Sequence, residues 1–205
     1  MELSHPGSDL LGATESKVLA ALSRLSGPVS GRHLAKLAGA QSYSTVLRYL
    51  AKLRTIGLVR STEIPSATLY QLNRDHVYWG PIEAILAARA TVDTQIVALV
   101  TRELGDAARV ATFGSVARGD ATAGSDYDIL LILASSVTRE DRARVSEKLS
   151  ALIENLTGNE GQIVDLSENE LRDLVAQSSP LAAALMEHAR PIDGRGRIPQ
   201  LQVAA

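Results

Sequence analysis

The sequence predicts an α+β fold in two parts, and three observations predict it. Apolar residues recur at helical spacing near the N-terminus, two strand-like runs follow around Pro65-Ser66, and the remainder alternates short aliphatic runs with amphipathic helices. The 205 residues suffice for two small domains, and a composition 45% hydrophobic and 21% charged excludes a disordered chain. Aromatics make up only 3%, so the cores must be aliphatic. The absence of cysteine excludes disulfides, thiolate metal sites and thiol nucleophiles. No run approaches the roughly 18 apolar residues of a membrane span, and Met1 to Ser8 lacks the pattern of a signal peptide. A cytoplasmic setting without membrane contact is the expectation.

The net charge of −2 hides a split. Residues 1–75 hold 9 Lys and Arg against 5 Asp and Glu, whereas residues 76–205 hold 12 against 18. A front end at +4 suits a polyanion and a back end at −6 is rich in carboxylates. Two differently solvated surfaces would give the same split by chance.

Val18, Leu19, Leu22 and Leu25 share a helical face that ends before Gly27-Pro28. Ser30 opens a second segment with Leu34 and Leu37 on one side, closed by Gly39, and Ser42 is placed to cap a third helix. That helix turns Val46, Leu50 and Leu53 inward and leaves Tyr43, Ser44, Thr45, Arg48, Lys52 and Arg54 outward, a polar and basic set suited to phosphates and base edges. Leu58–Ile64 and Thr68–Leu72 read as a hairpin.

This order, with the wording LAKLAG and STVLRYLAKLRTIGLV, resembles the winged helix-turn-helix of ArsR- and MarR-type transcription regulators between Thr14 and Asn73. The resemblance implies a third helix in the major groove of DNA and a wing on the backbone. It marks Gln41, Ser42, Tyr43, Ser44, Thr45, Arg48, Lys52 and Arg60 as DNA-contacting, and a homodimer as the working form. Winged helices also serve as dimerisation or protein-binding modules, and a basic helix face is also simply a solvated one.

The expected domains are residues 1–75, a junction at 76–81 that holds the single Trp79 and the Gly80-Pro81 breaker, a second domain at 82–194, and a loose tail at 195–205. Within the second domain one long helix is expected from Ile82 to Leu104. His76 and Trp79 read as packing residues of the junction. Thr138 caps a helix running to Leu156, and Pro191 falls in an edge strand, where its missing N–H is tolerated.

The chemistry sits between two aliphatic runs, Val110–Phe113 and Ile129–Leu133. Gly114-Ser115 follows the first, ten residues intervene, and Asp126-Tyr127-Asp128 leads into the second. Strand alternation puts both aspartates on one face, where two carboxylates are costly without a cation. Paired hard oxygens collect Mg²⁺ together with phosphate oxygens. Gly114 admits phosphates to the backbone, Ser115 donates to them, and Arg118 balances their charge, while Asp120 reads as a surface turn residue.

The stretch GSVARGDATAGSDYDILL resembles the minimal nucleotidyltransferases of the DNA polymerase β superfamily, relatives of the kanamycin nucleotidyltransferases. That resemblance implies a mixed β-sheet flanked by helices and transfer of NMP from an NTP, with ATP the expected nucleotide, to an acceptor the sequence does not name. Gly114, Ser115 and Arg118 would hold the triphosphate, and Asp126 and Asp128 would bind two Mg²⁺ ions with a third carboxylate from a neighbouring strand. Asp165, in Gln162–Leu166, is the expected third metal ligand and catalytic carboxylate, because Ser167 and Glu170 already make the capping box of the next helix. Two other readings stay open: a transcription regulator whose nucleotidyltransferase fold only senses nucleotide, and an antitoxin-type or RNA-modifying member of the superfamily.

Overall fold

The computed structural model describes residues 1–198, which form two compact units. The first comprises Glu2 and residues 4–88, and the second comprises Met1, Leu3 and residues 89 onward.

In the first unit a short helix α1 (Ser8–Leu11) precedes α2 (Ala13–Ser23), β1 (Val29–Ser30), α3 (Gly31–Leu37), α4 (Tyr43–Thr55), β2 (Val59–Ile64), β3 (Ala67–Leu72) and α5 (Trp79–Leu86). The expected caps are present: Ser30 accepts from the His33 amide and Ser42 from the Thr45 amide. The hairpin joins a three-stranded antiparallel sheet in the order β1-β3-β2, with Val29 opposite Tyr70. Pairing of β1 was not legible, because two residues after a proline carry no alternation to read. Val18, Leu22, Leu34, Val46, Leu50, Leu53 and Leu58 fill the core from α2, α3, α4 and the start of the hairpin.

The boundary lies later than the sequence suggests. Trp79 is 3% exposed in this first core, with Ile82 and Leu86 packed beside it and the Arg74 guanidinium 5.7 Å over its ring. Burial of that indole makes 76–88 part of the first unit. The long helix expected from Ile82 is two helices, α5 and α6 (Ala88–Leu104), interrupted at Ala87. No glycine or proline marks the interruption. No single helix is long and apolar enough to cross a membrane among the described residues.

The second unit continues through a 3-10 turn (Gly105–Ala107), β4 (Ala108–Thr112), α7 (Gly114–Arg118), β5 (Tyr127–Leu133), α8 (Arg139–Thr157), β6 (Gly161–Ser167), α9 (Glu168–Ala176), α10 (Pro180–His188) and β7 (Arg190–Pro191). Its sheet runs β6-β5-β4-β7, with β5 and β6 parallel and the other pairs antiparallel, so it is mixed. Pro191 sits on the edge strand, as expected.

Alternation along β5 sends its side chains into two cores. Tyr127, Ile129, Leu131 and Leu133 pack with Ile96 and Val100 of α6 and with Val145, Leu149 and Ile153 of α8. Leu130 and Ile132 pack on the other face with Leu171 of α9 and Leu185 of α10. Gly161 lets α8 approach closely, since a Cβ there would lie 3.0 Å from the Ser150 Cα. The start of the expected tail is packed rather than loose: Arg195 bonds the Ala108 carbonyl and Asp193, and Ile198 is 3% exposed. Residues 199–205 of that tail lie outside the described residues.

Candidate active site

The two motifs meet through Gly114. Its φ of +61° is one that L side chains rarely adopt, and a Cβ there would lie 2.8 Å from the Asp128 Cγ and closer still to its Oδ2. The Phe113 amide donates to the Asp128 carbonyl at 3.1 Å, which fixes the turn against the first residues of β5. Gly114-Ser115 begins α7, and the helix ends at Gly119 in the left-handed region, with the Gly119 and Asp120 amides both donating to the Ser115 carbonyl. Strand, turn and short helix therefore bring Gly114, Ser115 and the aspartate pair to one end of the two central strands, β4 and β5.

Asp128 is half-buried and Asp126 exposed. Burial pushes the Asp128 carboxyl above the usual carboxylate range, the Asp126 charge pushes the same way, and Arg118 opposes both. Neither carboxylate accepts a hydrogen bond or makes an ion pair among the described residues. Arg118 turns its Nε to Asp120 at 3.2 Å on the surface, so Asp120 is the exposed turn residue expected and also a partner for that cation.

Asp165 is not brought to the pair. In the parallel ladder it lies opposite Leu131, whereas Asp128 lies opposite Gln162. Laterally paired residues share a face, so Asp165 projects to the side of Leu131 and α8, away from Asp128. There its Oδ2 accepts from Arg142 Nε at 2.6 Å, and the same guanidinium reaches the Asp165 carbonyl at 2.8 Å and Glu170 at 3.0 Å. Ser167 and Glu170 form the expected capping box, in which the Ser167 amide and hydroxyl and the Arg142 charge draw the Glu170 carboxyl down to about 2. Asp165 thus ties α8 to β6, and the structure does not bring this expected metal ligand and catalytic carboxylate to the Asp126/Asp128 pair. No group of three or more His, Asp or Glu side chains able to hold a metal ion occurs among the described residues. Asp126 and Asp128 are the carboxylates that adjoin the Gly114 turn, and no third acidic side chain joins them as a metal-holding group among the described residues.

Behind the motif lies a polar network that the sequence did not signal. The Tyr127 hydroxyl, fully buried between the two aspartates in sequence, donates to Asp93 of α6. Asp93 sits 3.7 Å from Arg89, and Arg89 donates to the Val116 carbonyl in α7 at 3.0 Å. Burial raises the Asp93 carboxyl despite the Tyr127 hydrogen bond and the Arg89 charge, and burial raises the Tyr127 phenol as well. The loop leading to Asp126 is held by Asn159, only 4% exposed, whose amide donates to the Ala123 carbonyl at 3.0 Å and the Ser125 carbonyl at 2.9 Å.

In the first unit Gln41, Ser42, Tyr43, Ser44, Arg48 and Lys52 are exposed at the start and along one side of α4, with Thr45 half-buried. Tyr43 joins Arg32, Ser66 and Thr68 around a groove of about 460 Å³ between α4 and the hairpin tip. Arg60 is separate from this set. It lies just beyond the C-terminal end of α4, donating to Asn73 at 2.8 Å, while Asn73 donates to the Gly57 carbonyl. A helix the length of α4 spans ~20 Å at 1.5 Å per residue, so Arg60 and Ser42 stand at opposite ends.

No curated protein matches the chain. Residues 95–180, from within α6 to the first residue of α10 and including both motifs, match the model of a family described as a nucleotidyltransferase domain.

Proposed function

We propose that the second unit transfers NMP from a Mg²⁺-bound NTP to an acceptor, and that the first unit is a winged helix-turn-helix that holds nucleic acid. The observation that carries the catalytic reading is the contact of Gly114 with the Asp128 carboxylate, which joins the Gly114-Ser115 turn to a pair of unpaired hard ligands. Asp126 and Asp128 would hold the cation, which supplies charge neutralisation on the phosphate oxygens when bound. Gly114, lacking a Cβ, lets the Asp128 carboxylate close on the turn, the Ser115 hydroxyl donates to a phosphate, and Arg118 leaves Asp120 for the triphosphate. ATP is the nucleotide to try first.

Titration of ATP with Mg²⁺ into the full chain, followed by incubation with α-labelled ATP and cell extract, tests both halves of this reading. The expected outcome is saturable binding and labelled acceptor, both lost at least 100-fold in the Asp126→Ala/Asp128→Ala variant. Binding that survives this variant would remove the site assignment.

The position of Asp165 favours a second reading, in which the unit binds nucleotide without transferring it and passes the signal to the nucleic-acid-binding unit. Aspartate-dependent ATP binding without labelled acceptor, together with nucleic-acid affinity that changes with ATP, selects it.

A further inference from the structure

Asp128 and Gln162 are direct neighbours across the parallel ladder of β5 and β6. Their side chains leave the sheet on the same face, with strands roughly 4.8 Å apart. A residue placed there is within reach of any cation that Asp128 holds. Asp165 lies three residues further along β6, on the other face and engaged by Arg142. Asp120, in the loop between the motifs, is paired with Arg118.

We infer that this site takes a single divalent cation with its nucleotide, and that Gln162 occupies the position from which a carboxylate would create a second cation site. The inference rests on the nucleotide reading above. Glutamine offers one neutral carbonyl oxygen, whereas a second Mg²⁺ close to the first needs added negative charge to offset their mutual repulsion. Two carboxylates already shared with one cation do not supply it. Among the described residues no third acidic side chain joins Asp126 and Asp128 as a group that could hold a metal ion, so a carboxylate placed at 162 would be the one added to the pair.

The test is a count of bound ions by electron paramagnetic resonance of Mn²⁺ with the non-cleavable analogue α,β-methylene-ATP, on the full chain. The Asp126→Ala/Asp128→Ala variant sets the background of surface ions. The expected count is one Mn²⁺ per chain in the wild type and in Asp165→Asn, rising to two in Gln162→Glu. Circular dichroism verifies that each variant is folded. Two ions in the wild type would overturn the single-cation inference while leaving the nucleotide reading intact. One ion in Gln162→Glu would overturn the assignment of Gln162. No analogue-dependent Mn²⁺ in the wild type would instead overturn the nucleotide reading itself.

Discussion

In the first unit Arg32, Lys36, Arg48, Lys52 and Arg54 stand exposed on α3 and α4, without an ion pair among the described residues. In the second, Arg89, Arg109, Arg118, Arg142, Arg144 and Lys148 each lie within 4.0 Å of a carboxylate. Asp126 and Asp128 of the same unit make no ion pair among the described residues, although they adjoin the Gly114 turn. A charge that folding has not neutralised is available to something outside the chain, so on the proposed reading α3 and α4 offer positive charge and the Asp126/Asp128 pair offers negative charge. Net charge alone would miss this, because it counts a guanidinium tied to a carboxylate as equal to one that is not.

The sharpest way to break this contrast is to cut a tied cation. Asp193 is 3% exposed in its side chain and receives Arg109 Nε at 2.6 Å, Arg109 Nη2 at 3.2 Å and the Val110 amide at 3.2 Å. Burial alone would raise its carboxyl, but the Arg109 hydrogen bonds, the Arg195 and Val110 amides and the Arg109 charge together hold it below the usual range. A carboxyl lowered by folding stabilises above its unfolded pKa and loses that contribution as pH falls through its folded value. Asp193→Asn should therefore cost about 3 kcal/mol in urea unfolding at pH 7, with a smaller difference from wild type in acid. Arg48→Ala and Lys52→Ala, measured the same way, should each stay within about 0.5 kcal/mol.

For nucleic acid the order reverses. Arg48→Ala/Lys52→Ala should weaken binding of a DNA duplex about tenfold near 0.1 M salt and flatten the logarithmic salt dependence by about two. Arg102→Ala, in the second unit, should leave both unchanged. Arg60→Ala is the finer test, because its guanidinium is engaged by Asn73 at the far end of α4. A loss in Arg60→Ala as large as in the α4 variants would put the hairpin base on the nucleic acid.

How much of this was legible depends on how local each feature is. Gly114, Ser115, Asp126 and Asp128 came together as read, because a strand, a tight turn and a second antiparallel strand fix their placement within twenty residues of chain. Ser30, Ser42, Thr138 and Ser167 capped as read for the same reason. The face of Asp165 was not legible, since it depends on the register of two strands separated by α8, and a slip of one residue reverses every side chain. Arg89 and Asp93 form an i, i+4 pair that reads from sequence as solvated helix surface. Only the position of Tyr127 shows that their inner ends are bonded to the motif. Tyr127→Phe should accordingly cost about 1–2 kcal/mol of stability and loosen the turn at α7, seen as faster hydrogen exchange at the Ala117 and Gly119 amides, which bond the Phe113 and Ser115 carbonyls.

The smallest expected effect separates the unpaired acids from the paired ones by sign. Folding raises the Asp128 carboxyl, mainly through burial and secondly through Asp126, against Arg118. A carboxyl raised by folding binds its proton more tightly in the folded chain, so stability falls as pH rises from the unfolded pKa through the folded value. At neutral pH the ionised Asp128 therefore opposes folding, where Asp193 supports it. Asp128→Asn should stabilise the nucleotide-free chain by less than about 1 kcal/mol given partial solvent screening, seen as a higher melting temperature. The same variant should lose Mg²⁺-dependent nucleotide binding, and in the wild type that binding should weaken on acidification at a higher pH than for an ordinary aspartate. A lower melting temperature in Asp128→Asn would mean that this carboxylate has a structural partner, and would remove it from the cation site.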